Sequence, residues 1–357
     1  MVDLSFYRNK VVLITGHTGF KGTWLCKILL NAGAKVVGYS LEPPTNPSLF
    51  DLSKVCENPN MVSIIGDIRD YNHLKEVFDE FQPELVLHLA AQPIVRDSYK
   101  EPKYTYDVNV MGTVNVLECV RLTPSVKSFL NVTTDKVYFN DETPDHPFKE
   151  CEPLDGYDPY SNSKSCSELV THSYKKSFFQ DGSCAISTAR AGNVIGGGDF
   201  ANDRIIPDCI RAIEKGEDII VRNSFSTRPY QHVLEPLYIY LEIVEQQYKD
   251  SSKQGYYNVG PDDCDCVNTG DLVAKFCNAW GNNIRWINKH DGGPHEAAFL
   301  KLDNNKIKNV FGWTPRWHID ECINKIVEWT KAYLKNKDLI PQEMDKEINE
   351  FFGGIQK

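Results

Sequence analysis

The chain has 357 residues, 41% hydrophobic and 25% charged, the balance of an ordinary globular protein with room for one large domain or two moderate ones. A formal net charge of −10 gives no cationic footprint for nucleic acid or an anionic membrane surface, and no apolar run approaches the length of a membrane span. Residues 1–10 lack the apolar core of a signal peptide, and the 11 cysteines, an odd count set mostly in apolar patterns as at Cys26, Cys119 and Cys209, fit reduced thiols in a cytoplasmic protein.

The run Val11-Val12-Leu13-Ile14 predicts a buried parallel strand. Gly16, Gly19 and Gly22 follow, and Trp24-Leu25-Cys26-Lys27-Ile28-Leu29-Leu30 has helical spacing. Strand, glycine turn and helix make the opening of a Rossmann unit, in which Gly16, Thr18, Gly19, Phe20 and Gly22 would line a dinucleotide. One glycine permits the tight turn, one lets backbone approach a diphosphate, and one lets helix pack on strand. The helix N-terminus then offers free N–H groups and a positive dipole end. The second strand ends at Tyr39-Ser40 with no acid at the usual ribose position; Glu42 comes late, and no arginine stands there to favour NADP. Residues 42–50, stiffened by prolines, form a lid, an oligomer contact or an ordinary surface loop.

A third strand, Met61-Val62-Ser63-Ile64-Ile65, leads to Asp67 and Ile68, where an adenine ring would rest: the carboxylate accepts from its amino group and Ile68 packs on its face. Asp70 suits the N-cap of the next helix. The fourth strand, from Glu84, ends in Ala90 and Ala91, small enough for a cofactor to pass, and then Gln92; His88 inside it is expected to be a satisfied core histidine. A helix from Val108 carries Asn109, which needs a polar partner. The next strand ends in Thr133-Thr134-Asp135-Lys136 at the carboxyl edge of the sheet, where ligands bind in doubly wound folds. Tyr160-Ser161-Asn162-Ser163-Lys164 opens a helix with Tyr160 and Lys164 on one face. Tyrosine titrates near 10, so it is a poor base at neutral pH. The Lys164 ammonium is expected to lower that value, letting Tyr160 take an alcohol proton as hydride leaves the same carbon.

In the second half, Ile186 to Gly196 reads as a strand running into a glycine loop, and beyond Asp199 the chain should leave the sheet. A guanidinium fork matches two oxygens of a diphosphate, which makes Arg204 and Arg228 the candidates for one. Tyr256-Tyr257-Asn258-Val259-Gly260 should return to the sheet, and the polar tail beyond Asn336 is expected to be loosely held. Cys264 and Cys266 have no matching Cys or His pair, so no metal site is expected. The predicted architecture is α/β: a Rossmann-type doubly wound parallel sheet over residues 1–190 with a returning segment at about 230–260, and a smaller, mainly C-terminal α/β substrate domain over 191–357.

Six stretches carry a resemblance: the glycine turn from Thr15 to Gly22, the loop 42–50, Thr133-Thr134-Asp135-Lys136, Ala191 to Asp199, Thr227-Arg228-Pro229-Tyr230-Gln231-His232-Val233 and Pro294-His295-Glu296-Ala297. From about Lys10 to Tyr333 the chain is similar to the extended short-chain dehydrogenase/reductases, and within them to the nucleotide-sugar 4,6-dehydratases that act on CDP-glucose. That resemblance implies recycled NAD, contacts from Asn109, Tyr160 and Lys164 to the cofactor, and a homodimer or higher homo-oligomer. It implies catalysis by Thr134, Asp135, Lys136, Tyr160 and Lys164, with Asp135 as the acid for the departing C6 oxygen and Lys136 as C5 base or enolate stabiliser. It places Gln92, Thr134, Asn193, Arg204, Arg228, His232 and His295 against a nucleotide-sugar substrate of deoxysugar and lipopolysaccharide precursor synthesis. Two rivals stand beside it: an NAD-dependent nucleotide-sugar epimerase, which has no use for Asp135 and Lys136, and a non-catalytic NAD-binding protein.

Overall fold

Apolar strands without alternation demand cover on both faces. The computed structural model, which describes residues 2–281, 284–289, 292 and 299–353, meets that demand with seven strands between helices. They are β1 (Val11–Thr15), β2 (Lys35–Ser40), β3 (Met61–Ile65), β4 (Leu85–His88), β5 (Ser128–Thr134), β6 (Ala185–Ala191) and β7 (Tyr256–Val259). Their spatial order is β3-β2-β1-β4-β5-β6-β7, and every neighbouring pair is parallel. β4, β5 and β6 are buried along their whole length. The strand order reverses between β1 and β4, which opens a crevice beyond their carboxyl ends.

Trp24, Leu25, Ile28 and Leu29 pack one face of the sheet together with Leu237 and Leu241, while Leu74, Phe78, Val116 and Leu117 pack the other. Asp70 caps the helix Tyr71–Phe81, as expected, accepting from His73 N–H at 3.2 Å. His88 is buried between the Thr15 and Thr113 hydroxyls, a satisfied core histidine whose imidazole burial pushes down to about 3. The expected helix after Val108 opens as a π turn, Asp107–Met111, before Gly112–Arg121. The proline loop is anchored at its end: Leu49 and Phe50 are buried, and Phe50 meets the His17 ring edge-on at 5.2 Å.

Among the described residues four two-stranded ladders lie outside this sheet, three of them wholly after β6, including Val194–Ile195 with Gln231–His232 and Thr227–Pro229 with Cys266–Asn268. The chain returns to the sheet at β7, beside β6. The tail corrects the expectation of loose polar residues: Ile340–Phe352 is a helix that buries Ile340, Met344, Ile348 and Phe351, an apolar stripe at helical spacing.

Beneath the carboxyl ends of β5 and β6 lies a buried ion pair. Arg190 donates to Glu168 at 2.9 Å and to the Tyr138 hydroxyl at 2.8 Å, and Glu168 also accepts from the Thr133 and Thr188 hydroxyls. Arg190→Met leaves Glu168 buried without its cation. The change should cost about 3–5 kcal/mol of stability in urea denaturation, whereas a loss below about 1 kcal/mol would show that the hydroxyls alone hold the carboxylate.

Candidate functional site

A cavity of about 450 Å3 lies over the carboxyl ends of the strands. Its walls carry Thr134, Asp135 and Lys136 from the end of β5, Tyr160 from the helix Pro159–Phe178, and Asn193, Arg204 and Arg228 from beyond β6. Asp158 caps that helix by accepting from Ser161 N–H at 3.0 Å, with Pro159 in the first turn, and so fixes Tyr160 at the positive helix end.

The Thr134 hydroxyl donates to Asp135 Oδ1 at 3.0 Å and accepts from Lys136 N–H at 3.4 Å. Asp135 is 2% exposed, and its Oδ2 has no hydrogen-bond partner. Burial raises its carboxyl above the usual range, against the opposing charges of Lys136 and Arg228. A side chain at Gly192 would reach Pro229 at 2.7 Å and Asp135 Oδ2 at 3.4 Å, so the glycine keeps open the space before that oxygen.

Tyr160 departs from expectation. Burial pushes its phenol up to about 12, outweighing the lowering effect of the Thr134 side chain and the Arg204 charge. Lys164 does not offset this, because its ammonium donates to the Val132 carbonyl at 2.9 Å and burial pushes it down to about 8. The turn of helix shared by the two residues fixes their face but leaves the lysine aimed at backbone.

The glycine turn fits a dinucleotide diphosphate. Gly16 has φ +79°, and a Cβ there would stand 2.7 Å from the Ala90 nitrogen. A Cβ on Gly22 would lie 2.1 Å from the Gly16 carbonyl oxygen. Gly19 begins the helix Phe20–Asn31 with no side chain capping its first amides, which leaves them for an anion. Ile68 is buried against Gly112, while the Asp67 carboxylate, beside it at the turn after β3, pairs with Arg69 at 2.6 Å.

Four expected contacts are used elsewhere. The Thr18 hydroxyl ties the turn to β2, bonding Ser40 Oγ at 2.7 Å and the Leu41 carbonyl at 2.9 Å. Asn109 is buried, donating to the Gln92 carbonyl and Ser163 and accepting from Gln92 N–H; it finds its partners within the fold rather than in a ligand. The Gln92 carboxamide folds onto its own loop, to Thr105 and Ile94 N–H, and residues 93–96 line the cavity in its place. His232 is fully buried, 3.5 Å from Glu347 on the C-terminal helix and packed on Trp317; burial pushes it down to about 3, and it cannot touch a substrate in the cavity. Glu42 is exposed. His295, with Pro294, Glu296 and Ala297, lies outside the described residues.

Sequence reasoning passed over three cavity cations, Lys21, Arg96 and Arg222. Lys21 stands among Arg204, Lys164 and Asp135, and burial pushes it down to about 7. The signal was a lysine in the first turn of a helix, where the dipole disfavours a cation. Arg222 and Arg204 are bridged to the acids Asp203 and Asp199. Among the described residues one group of donors, Cys264, Asp265 and His318, is close enough for a metal; there Asp265 accepts from His318 at 2.8 Å and from Ile319 N–H at 2.9 Å, which accounts for its carboxylate without an ion.

Residues 13–326 match the family model described as GDP-mannose 4,6 dehydratase. The chain is 45% identical over 347 residues to a CDP-glucose 4,6-dehydratase of Salmonella typhimurium, covering 95% of this chain and 96% of that one. Its fold is that of two solved structures at lower identity. One is a Bacillus anthracis dTDP-glucose 4,6-dehydratase in complex with NAD (22% identical, TM-score 0.75, 94% and 99% covered). The other is a Bacillus cereus UDP-glucuronic acid 4-epimerase (21% identical, TM-score 0.79, 90% and 99% covered).

The close contact at Gly22 is open to test. Gly22→Ala should lower stability by about 1–3 kcal/mol through overpacking and weaken NAD binding measured by calorimetry; unchanged values for both would remove the glycine turn from the site.

Proposed function

Because the chain belongs to the GDP-mannose 4,6 dehydratase family, we propose that it is an NAD-dependent hydro-lyase converting CDP-D-glucose to CDP-4-keto-6-deoxy-D-glucose and water. One observation carries the reading beyond the family: a buried carboxyl with a free oxygen, Asp135, shares a cavity with Lys136 and Tyr160. An epimerase needs the tyrosine but has no use for a second acid, and a binding protein needs neither.

Gly16, Gly19, Phe20, Gly22, Ile68, Ala90 and Ala91 would hold NAD along the glycine turn and the β1–β4 crevice, with Asp67 at the adenine end and Tyr160 and Lys164 at the nicotinamide. When bound, the nicotinamide supplies the hydride chemistry, accepting from C4 of the glucose and giving back at C6. Tyr160 accepts the 4-hydroxyl proton, beside the Thr134 hydroxyl. A ketone at C4 acidifies the C5 proton, and Lys136 serves its removal. Asp135 protonates the departing C6 oxygen, a task for which burial keeps its carboxyl protonated more readily than a solvated one. Arg204 and Arg228 face the diphosphate and Asn193 the sugar.

The seven-stranded sheet with its return at β7 serves as the cofactor half, and the ladders and helices beyond residue 191 as the substrate half. Exposed Leu169 and Phe178 on one helix and Leu122 at the end of its neighbour support a homo-oligomer. No described helix is long and apolar enough to cross a membrane, and the free cysteines support a cytoplasmic enzyme of deoxysugar precursor synthesis.

Mass spectrometry of CDP-glucose labelled with deuterium at C4 tests the reading. Loss of water with deuterium at C6 is expected; an isomer of unchanged mass would mean epimerisation, and binding of NAD without conversion of any nucleotide sugar would mean a non-catalytic protein. Tyr160→Phe should cut turnover by at least about a thousandfold, with the loss in kcat rather than KM; near-normal turnover would remove the phenol from the chemistry. Asp135→Asn should still oxidise C4, seen as absorbance at 340 nm in a single turnover, while water loss falls about a hundredfold or more. Undiminished elimination would assign the acid elsewhere.

A further inference from the structure

Outside the cavity, two segments far apart in the chain bring three metal-ligating atoms together. Cys264 and Asp265 lie in the 3-10 turn Asp263–Asp265, and His318 immediately precedes the helix Ile319–Lys335. Cys264 Sγ is 3.7 Å from Asp265 Oδ2 and 3.9 Å from His318 Nδ1, and that oxygen and nitrogen are 2.8 Å apart. Asp265 is buried, and its Oδ1 accepts from Ile319 N–H at 2.9 Å, which fixes the carboxylate and leaves Oδ2 on the side of the thiol and the imidazole. Cys264 and His318 are exposed. The Cys266 thiol goes instead to the Asp262 carbonyl, at 3.9 Å. A search for paired cysteines and histidines passes over this set, because one ligand is a carboxylate and another comes 54 residues after Cys264.

We propose that Cys264 Sγ, Asp265 Oδ2 and His318 Nδ1 bind one zinc-class divalent cation, with water in the fourth position. In a tetrahedron, bonds of about 2.3 Å to sulfur and about 2.1 Å to nitrogen and oxygen put the ligand atoms about 3.4–3.6 Å apart. The two sulfur edges already lie near that spacing, and the short edge lengthens as the exposed imidazole turns about its side-chain torsions. Ligand type points the same way: a thiolate and an imidazole beside one carboxylate suit Zn2+, whereas Mg2+ and Ca2+ take oxygen. On binding, the thiol proton leaves to solvent as the sulfur–metal bond forms, and the imidazole carries its own proton on Nε2. The helix amide on Oδ1 then supports the ligating carboxylate, an outer contact that metal ligands ordinarily have. The ion ties the turn before Cys266–Asn268 to the start of the helix Ile319–Lys335, beside the ladder in which Val267 pairs with Arg228. None of the three residues lines the cavity, so the site stands apart from the dehydratase chemistry.

Titration of the full-length, chelator-stripped protein with Co2+ and then Zn2+ tests the site. Co2+ should bind at one per chain with the strong visible bands of a tetrahedral ion and a thiolate-to-metal charge-transfer band, and Zn2+ should displace it. Cys264→Ser should abolish the charge-transfer band. Cys264→Ser and His318→Asn should each weaken Zn2+ binding by about tenfold or more, read by competition with a chromophoric chelator. Both substituted side chains are exposed, so the core is untouched, and asparagine keeps a helix-capping group at position 318. Cys56→Ser and Cys151→Ser, which remove the other exposed thiols, should leave spectrum and affinity as in wild type. The site is overturned if the wild-type Co2+ spectrum lacks the thiolate band, if Cys264→Ser keeps it, if either ligand variant binds Zn2+ as wild type does, or if loss of Cys56 or Cys151 removes the band.

Discussion

A carboxyl group held away from water with one oxygen unpartnered is the constraint on which the site depends. Leaving a buried polar group without a hydrogen bond costs about 1–3 kcal/mol in proteins. Asp135 bears that cost because the surrounding framework leaves it no alternative. β5 lies between β4 and β6, paired with both, and cannot move aside. The Arg190–Glu168 pair ties the end of β6 to the helix that carries Tyr160 and Lys164. Gly192 removes the side chain that would crowd Asp135 Oδ2. The free oxygen is thus a product of sheet geometry and one missing Cβ.

The electrostatics of the cavity invert those of the molecule. A chain of net charge −10 lines one pocket with Lys21, Arg96, Lys136, Arg204, Arg222 and Arg228. Several of these are bridged to Asp199, Asp203 or Asp208, which holds the guanidiniums in place. Burial pushes Lys21 down to about 7, with the neighbouring Arg204 and Lys164 acting the same way, and burial alone pushes Lys164 down to about 8 against the pull of Glu168. The same desolvation acts in the opposite direction on the phenol. Burial raises the Tyr160 phenol, and Thr134 and Arg204 lower it, whereas Lys164 is turned to backbone.

Local patterns were legible and long-range orientations were not. The strand–glycine–helix opening, the polar end of β5, the Tyr160–Lys164 face and the N-cap at Asp70 all follow from chemistry within a dozen residues, and the structure contains each. His232 shows the limit. Its ladder position could be read from the sequence, but the partner that claims it, Glu347, comes from a helix more than a hundred residues later. Asn109 and Gln92 likewise satisfy each other, which no single-residue reading could reveal. The tail helix was missed for a different reason: the apolar stripe Ile340, Met344, Ile348, Phe351 was present, but polar composition was given more weight than period.

Fold alone does not select the reaction. The chain superposes on an epimerase at a TM-score of 0.79 and on a dehydratase at 0.75, so the scaffold is common to both. Both chemistries need a cofactor cradle and a tyrosine beside the sugar. Only water loss needs a second acid within reach of C6 and a group to serve the C5 proton. In the proposed mechanism those two demands fall on adjacent residues, Asp135 and Lys136, at the point where β5 ends and its backbone turns into a single 3-10 turn. That turn sets the two side chains on different bearings from one strand end, Asp135 into a buried space beside Gly192 and Lys136 to a half-buried position on the cavity wall. On that mechanism the difference between isomerising a sugar and dehydrating it is carried by a few residues whose placement the whole sheet enforces.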